Sequence, residues 1–256
     1  MIALFDSGLG GLSVLREVRA QLPAHDLAYF ADSAFCPYGP RSIEWVRERS
    51  LAIGLWLVER GARLLVVACN TASSAALESL RAALPIPVVG MEPGLKPAVA
   101  ATRSGRIGVL ATVGTLQSQR FAQLVARFGH KVQVIVQPCH GWVEQVEMAD
   151  LASQQTQALV AQYVVPLVAQ GIDTLVLGCT HYPFLRPLIE QAAGPGATLI
   201  DTGPAVARRV AQLARAHDIT AGGGGLCAYT SGDPAVVAPA IERLLGMRIG
   251  VARAAL

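Results

Sequence analysis

The sequence is poor in charged and aromatic residues, which make up 15% and 5% of its 256 residues. It contains no run of basic residues and its net charge is only +3, so no nucleic-acid partner is expected. Lysine is especially scarce, because only Lys96 and Lys131 are present. A disordered chain is excluded, since 52% of the residues are hydrophobic and can build a core.

No stretch of the sequence suggests a membrane span. The most apolar segment, residues 51–69, is interrupted by Glu59, Arg60 and Arg63, whereas a span needs about 20 largely uncharged residues. The N-terminus lacks the basic start of a signal peptide, and Asp6 interrupts its apolar run early.

The cysteines are odd in number, five in all, which favours free thiols over a disulfide framework. These features predict a cytoplasmic protein.

Short apolar runs alternate with longer amphipathic stretches along the chain. The runs predict nine strands, at residues 2–5, 27–31, 64–68, 88–90, 107–111, 132–137, 174–178, 198–201 and 228–230. Several are apolar throughout, as strands are when helices cover both faces of a parallel sheet. A helix is expected from Ser42 to Arg60, ended by Gly61, and another should begin at Asp233-Pro234. This alternation predicts an α/β fold.

Three segments in the first half resemble three segments roughly 110 residues later, in the same order. The pairs are 2–8 with 107–115, 62–71 with 172–181, and 87–93 with 197–204. They indicate a duplicated half and therefore two pseudo-symmetric α/β domains, one formed by residues 1–94 plus 206–256 and the other by 95–205. Ligands bind outside the carboxyl ends of the strands in open parallel sheets, so the active site is expected in the cleft between the domains.

Two cysteines, Cys69 and Cys179, occupy equivalent positions in the two halves. Each follows a buried strand and precedes a helix, and a helix N-terminus lowers the pKa of a thiol. Buried cysteine is also an ordinary core residue. A thiol on each side of a cleft can take a proton from one face of a carbon and return one to the other. A redox pair or a metal site is an alternative, but neither C-x-x-C nor H-x-x-x-H spacing occurs.

Asp6, at the end of the first predicted strand, and His181, two residues after Cys179, are further candidates. The loop Asp6-Ser7-Gly8-Leu9-Gly10-Gly11 lacks the third glycine of the dinucleotide fingerprint, and its carboxylate would repel a phosphate. Asp6 suits a substrate ammonium group or the adjustment of a nearby thiol, or it caps the first helix. His181 could assist proton transfer, or it is a satisfied histidine at a helix start.

The scarcity of lysine bears on the cofactor. An enzyme that uses pyridoxal phosphate needs a lysine for its Schiff base. Lys96 lies at a helix start and Lys131 follows a turn, and neither stands at the carboxyl end of a strand among polar groups. A pyridoxal enzyme is therefore not expected, and the missing metal-ligand spacing predicts no metal site.

Taken together, the motifs resemble those of the glutamate racemases, within the aspartate/glutamate racemase family, almost from end to end. They are Asp6-Ser7-Gly8-Leu9-Gly10-Gly11-Leu12-Ser13-Val14, Ala31-Asp32 with Pro37-Tyr38-Gly39, Ala68-Cys69-Asn70-Thr71-Ala72, Glu92-Pro93 with Lys96-Pro97-Ala98, Ala111-Thr112 with Gly114-Thr115, and Leu177-Gly178-Cys179-Thr180-His181-Tyr182-Pro183. The Cys-Thr-His-Tyr-Pro segment discriminates best against the related aspartate and hydantoin racemases.

The resemblance implies interconversion of L- and D-glutamate without a cofactor, supplying D-glutamate for peptidoglycan. It implies that Cys69 acts on D-glutamate with help from Asp6, and that Cys179 acts on L-glutamate with help from His181. Glu147 is implied to lie near His181. The implied substrate-binding residues are Asp6, Ser7, Tyr38, Gly39, Asn70, Thr71, Thr115, Thr180 and His181.

Two other functions fit the same architecture. A non-enzymatic protein could clamp a small ligand between two α/β domains, although it would not need paired thiols. A racemase of aspartate or another amino acid would use the same thiols.

Members of the family are often dimers, so a homodimer is compatible with the resemblance. The sequence starts at the first predicted strand, so control by a peptidoglycan precursor, which the resemblance associates with an N-terminal extension, is not expected.

Overall fold

The computed structural model describes residues 1–256 and contains two sheets. The first has six strands in the order β10-β9-β2-β1-β3-β4, and the second has four in the order β6-β5-β7-β8. All neighbouring strands are parallel. The strands are β1 Ile2–Asp6, β2 Leu27–Ala31, β3 Leu64–Val67, β4 Val88–Val89, β5 Arg106–Ala111, β6 Gln133–Pro138, β7 Thr174–Leu177, β8 Thr198–Ile200, β9 Leu226–Thr230 and β10 Val251–Arg253.

The α/β fold predicted from the sequence is confirmed. All nine predicted strands are present, with ends that differ by at most two residues. The strand β10, Val251–Arg253, was not predicted, and two of its three residues are exposed. Its sequence, Val-Ala-Arg, contains one large apolar residue and no apolar run.

The two sheets share one topology. The order β2-β1-β3-β4 in the first sheet corresponds to β6-β5-β7-β8 in the second. The three pairs of similar segments fall on β1 and β5, on β3 and β7, and on β4 and β8. The first sheet then adds β9 and β10 from the end of the chain. The exact domain boundaries stay a prediction.

Helices connect the strands and cover the sheets. They are α1 Leu12–Gln21, α2 Ile43–Glu59, α3 Asn70–Ala83, α4 Leu95–Ala101, α5 Val113–Leu116, α6 Gln119–Phe128, α7 Trp142–Glu147, α8 Gln154–Ala169, α9 Arg186–Ala193, α10 Gly203–Ala216 and α11 Pro234–Leu245. Ser42 caps α2 through its side chain, and Gly61 follows that helix with a φ of +86°, as predicted. Asp233 caps α11, whose first residue is Pro234. None of the helices combines the length and the apolar character that crossing a bilayer would take.

Apolar strands form the centre of each sheet. Every residue of β1, β2, β3 and β7 is buried. The largest cluster of buried apolar side chains takes in members from both sheets, such as Leu4 and Leu175. The two halves therefore pack against each other with their corresponding strand ends held close together.

Candidate functional site

The carboxyl ends of corresponding strands in the two sheets meet at a small cavity. Asp6 ends β1, Cys69 follows β3, Thr112 follows β5 and Cys179 follows β7. Side chains from both halves line the cavity, namely Ser7, Pro37, Tyr38, Gly39, Cys69, Asn70, Thr71, Thr112, Thr115, Val143, Cys179, Thr180 and His181. Its volume is about 10 Å³, which is close to the space that one water molecule occupies.

Most of the residues expected at the substrate line this cavity. Eight of them do so, which are Ser7, Tyr38, Gly39, Asn70, Thr71, Thr115, Thr180 and His181. Asp6 and Glu147 do not line it. Asp6 is fully buried near Cys69, and Glu147 contacts Nε2 of His181. Val143, which the sequence analysis did not single out, forms part of the wall.

Cys69 sits at the N-terminus of α3. The amide of Ala72 donates a hydrogen bond to its Sγ at 3.4 Å, so the thiol takes the place of a capping oxygen. Sγ also lies 3.8 Å from the hydroxyl oxygen of Ser7. Burial, and after it the nearby carboxylate of Asp6, raise the pKa of Cys69 well above its usual range, and these effects outweigh the amide contact. Cys69 is therefore a protonated thiol in this arrangement.

Asp6 is a buried carboxyl group with an incomplete set of partners. Its Oδ2 accepts a hydrogen bond from the amide of Gly11 at 2.8 Å, while Oδ1 is buried without a partner. Burial raises the pKa of Asp6, although His181 and the Gly11 amide act in the opposite direction. A carboxyl group of this kind can exchange a proton with its surroundings closer to neutral pH than a free aspartate can.

Cys179 has a different neighbour. Its Sγ lies 3.6 Å from Nδ1 of His181, and Nε2 of the same ring lies 2.6 Å from Oε1 of Glu147. Burial by itself lowers the pKa of His181, but the contacts with Cys179, Cys36 and Glu147 outweigh it and raise that pKa well above its usual range. The raised pKa favours a protonated ring, which places a positive charge beside the sulfur of Cys179.

Glu147 reaches His181 from the last residue of α7. The amide of Leu9, in the loop after β1, donates a hydrogen bond to Oε1 of Glu147 at 2.6 Å. A Cβ atom added to Gly10 in that loop would lie 2.2 Å from Nδ1 of His181, so only glycine fits there. The loop from the first half thus encloses a histidine and a glutamate from the second.

Some polar groups around the cavity lack a hydrogen-bond partner, and others form hydrogen bonds between the two halves. Asn70 is buried, and neither its amide nitrogen nor its oxygen has a hydrogen-bond partner. The hydroxyl of Thr71, in the first half, lies 3.1 Å from that of Thr112 and 3.3 Å from that of Thr115, both in the second. Buried polar groups are normally satisfied, so the free amide of Asn70 indicates a place for a polar ligand.

The loop that carries Tyr38 and Gly39 is held from behind by a buried ion pair. Arg49 in α2 donates to both carboxylate oxygens of Asp32, at 2.6 and 2.9 Å, and the hydroxyl of Tyr38 donates to the same carboxylate. The guanidinium group also lies 4.4 Å from the centre of the Phe35 ring. No local motif connects Arg49 to Asp32, so the sequence carries no signal for this ion pair.

One group of side chains near the cavity could hold a metal ion, although the sequence predicts none. Donor atoms of Cys36, Glu147 and His181 lie within 4.8 Å of one another. Their separations along the chain match no metal-binding motif, so the sequence carried no signal for this cluster.

Comparison with protein families and curated proteins yields consistent matches. The family described as "Asp/Glu/Hydantoin racemase" matches residues 10–210. A glutamate racemase of Stutzerimonas stutzeri is 52% identical over 247 residues, which cover 96% of this chain and 94% of the relative. A glutamate racemase of Pseudomonas aeruginosa PAO1 is 53% identical over 223 residues, covering 87% of this chain and 84% of the relative.

Solved structures of similar fold cover almost the whole chain. The glutamate racemase isoform RacE1 of Bacillus anthracis has a TM-score of 0.89 and 35% identity, and the match covers 100% of this chain and 97% of the other. The Escherichia coli glutamate racemase, solved with L-glutamate and the activator UDP-MurNAc-ala, has a TM-score of 0.87 and 33% identity, with 98% and 97% covered.

Proposed function

The chain belongs to the aspartate, glutamate and hydantoin racemase family, and we propose that it interconverts L- and D-glutamate by proton transfer between Cys69 and Cys179. One observation carries the proposal. The two thiols line the same small cavity, and each comes from the equivalent strand end of a different half. The choice of glutamate is supported by identities above 50% to curated glutamate racemases over most of the chain.

In the direction from L- to D-glutamate, Cys179 is the base. Its thiolate, stabilised by the His181 imidazolium, takes the proton from the α-carbon of L-glutamate. The thiol of Cys69 then gives its own proton to the opposite face of the same carbon, which inverts the configuration. Cys179 ends as the thiol and Cys69 as the thiolate, so the enzyme is set for D-glutamate. No oxidant or reductant takes part.

The carbanion-like state needs donors near the α-carboxylate, because no electron sink is available from a lysine-bound cofactor. Lys96 and Lys131 are the only lysines, and neither lines the cavity. The unpartnered amide of Asn70 and the hydroxyls of Ser7, Thr71 and Thr180 are the donors at hand. A single donor placed where charge develops contributes about 3–4 kcal/mol.

Glutamate enters only if the two halves separate. A cavity of about 10 Å³ holds about one water molecule, far less than an amino acid needs. Hydrogen bonds cross the cleft beside the cavity, such as that from the Leu9 amide to Glu147 and the 2.8 Å bond from the Ser13 hydroxyl to the carbonyl of Thr180. Each contributes about 1 kcal/mol, so we infer that the cleft opens at these contacts.

We further propose that the product D-glutamate serves peptidoglycan synthesis in the cytoplasm and that the chain forms a homodimer. All five cysteines are unpaired, as in a reducing compartment. The peptidoglycan role and the dimer rest on the family resemblance. Sedimentation analysis of the purified protein measures the dimer directly, and a monomer at micromolar concentration would contradict it.

The activity is tested by incubating the protein with L-glutamate and following the optical rotation. Decay to the racemic mixture is expected, with incorporation of solvent deuterium at the α-carbon from either enantiomer. A panel of amino acids that includes aspartate serves as the specificity control. Faster racemisation of aspartate would replace glutamate as the substrate, and tight glutamate binding without any loss of rotation would make the protein a ligand clamp.

A further inference from the structure

Cys36 is a thiol that the proposed reaction does not use. It follows a short 3₁₀ turn, Ser33–Phe35, in the connection between β2 and α2, and it is partly exposed. Desolvation raises its pKa to about 12, even though His181 acts in the opposite direction. Its position beside the His181 and Glu147 pair calls for an explanation other than proton transfer.

The loop after β1 leaves room between these side chains. A Cβ atom added to Gly8 would lie 2.2 Å from Oε1 of Glu147 and 2.8 Å from Sγ of Cys36. The thiol and the carboxylate therefore face the same point above the Gly8 backbone. Any residue larger than glycine would fill the space into which both groups point.

Three donor atoms of different chemistry converge at this point. They are Sγ of Cys36, a carboxylate oxygen of Glu147 and a ring nitrogen of His181, all within 4.8 Å of one another. Thiolate, imidazole and carboxylate are the ligands that Zn²⁺ takes in proteins, at about 2.0–2.3 Å in tetrahedral geometry. Ligand atoms around such an ion lie about 3.4–3.8 Å apart, so side-chain shifts of roughly 1 Å would complete the set.

We propose that Cys36, Glu147 and His181 form a binding site for Zn²⁺ whose occupation inhibits the enzyme. Binding converts the Cys36 thiol to a thiolate, with its proton released to solvent, and leaves a fourth position for water. The ion takes the His181 ring nitrogen that faces Glu147 and so breaks the 2.6 Å contact that holds the ring beside Cys179. The inhibitory effect rests on the proposed racemase function, whereas binding of the ion does not.

Binding is measured first, with Zn²⁺ itself, by competition against a chromophoric chelator. The variants are Cys36→Ala and, as the matched control, Cys227→Ala, which removes another partly exposed thiol in β9. The wild type and the control should each bind one ion, and Cys36→Ala should bind at least tenfold more weakly. Unchanged binding by Cys36→Ala would assign the ion to other thiols and overturn the proposal, as would a wild type that binds no Zn²⁺.

A measurement on the wild type alone covers the case in which Cys36→Ala does not fold. Zn²⁺ should protect Cys36 from alkylation in mass-spectrometric mapping while Cys227 stays reactive at its metal-free rate. Equal alkylation of Cys36 with and without the ion would contradict the site. With Co²⁺ as the probe, a thiolate-to-metal absorption band should appear.

Inhibition is measured second, with each protein referred to its own metal-free racemisation rate. Cys36→Ala should tolerate at least tenfold more Zn²⁺ than the wild type and the Cys227→Ala control. Equal sensitivity of all three would overturn the inhibitory role. A wild type that binds Zn²⁺ through Cys36 but racemises nothing would contradict the proposed function alone.

Discussion

The two sides of the cavity share a scaffold but differ in chemistry. Cys69 and Cys179 follow corresponding strands of sheets with the same topology. Cys69 faces the carboxyl group of Asp6, and burial together with that carboxyl raises its pKa. Cys179 faces His181, whose contacts raise the pKa of the ring. Duplication thus provides two equivalent positions for sulfur, and a different ionisable neighbour faces each of them.

The largest expected effect comes from removing either sulfur. Cys69→Ala and Cys179→Ala should each lower racemisation by at least about 10³-fold, because each variant lacks the proton donor or acceptor on one face. Polarimetry with L- and D-glutamate measures the loss. Thermal unfolding should show that both variants fold. Near-normal racemisation by either variant would rule out the two-thiol scheme.

The next largest loss of racemisation is expected when His181 loses its carboxylate partner, Glu147. Glu147→Gln removes the carboxylate behind His181 and should lower kcat/KM by about 10–100-fold, the usual cost of removing a group that orients a functional histidine. Because the equilibrium constant of a racemisation is unity, kcat/KM should fall equally for the two enantiomers. Glu144→Gln, on the same helix, is the control and should leave the rate within twofold.

The pH profile of Glu147→Gln tests whether the ionisation of His181 distinguishes the Cys179 side of the cavity from the Cys69 side. Contacts with Cys179, Cys36 and Glu147 raise the pKa of His181 against the effect of burial. Activity that needs the imidazolium is lost as the pH rises through that pKa. Removing the Glu147 carboxylate should lower the pKa of His181, so the alkaline fall in kcat/KM should begin at a lower pH. An unchanged alkaline limb would separate Glu147 from the ionisation of His181.

Asp6 should control the opposite limb of the profile. Burial raises its pKa, so the wild type should lose activity on acidification at a higher pH than an exposed aspartate would cause. Asp6→Asn should lower kcat/KM by about 100-fold and remove this acidic limb. A variant that keeps both the rate and the acidic limb would show that Asp6 only caps the loop.

The smallest effect on turnover is expected from the loop that carries Tyr38. Arg49→Ala breaks the ion pair with the fully buried Asp32 and should reduce the free energy of unfolding by about 3 kcal/mol. The loop would loosen, so KM should rise several-fold while kcat changes little. Arg47→Ala, on the same helix, removes only a long 3.5 Å contact with a carbonyl and serves as the control. A fall in kcat without a change in KM would contradict a positioning role.

The sequence predicted the fold and the thiol positions well, because both depend on local pattern. Nine strands arise from short apolar runs, and Cys69 and Cys179 each lie two residues after the end of one of them. Glu147 was placed only through the family resemblance. The partnership of Arg49 with Asp32 and the approach of Cys36 to His181 join residues that no short motif connects. Such contacts depend on how the halves pack, which no local period encodes.

A crystal structure of the protein with glutamate bound tests the central claim most directly. We expect the α-carbon to lie between the sulfur atoms of Cys69 and Cys179, each about 3.5 Å away on opposite faces. Two sulfurs on the same face, or one beyond reach of that carbon in the closed complex, would contradict it.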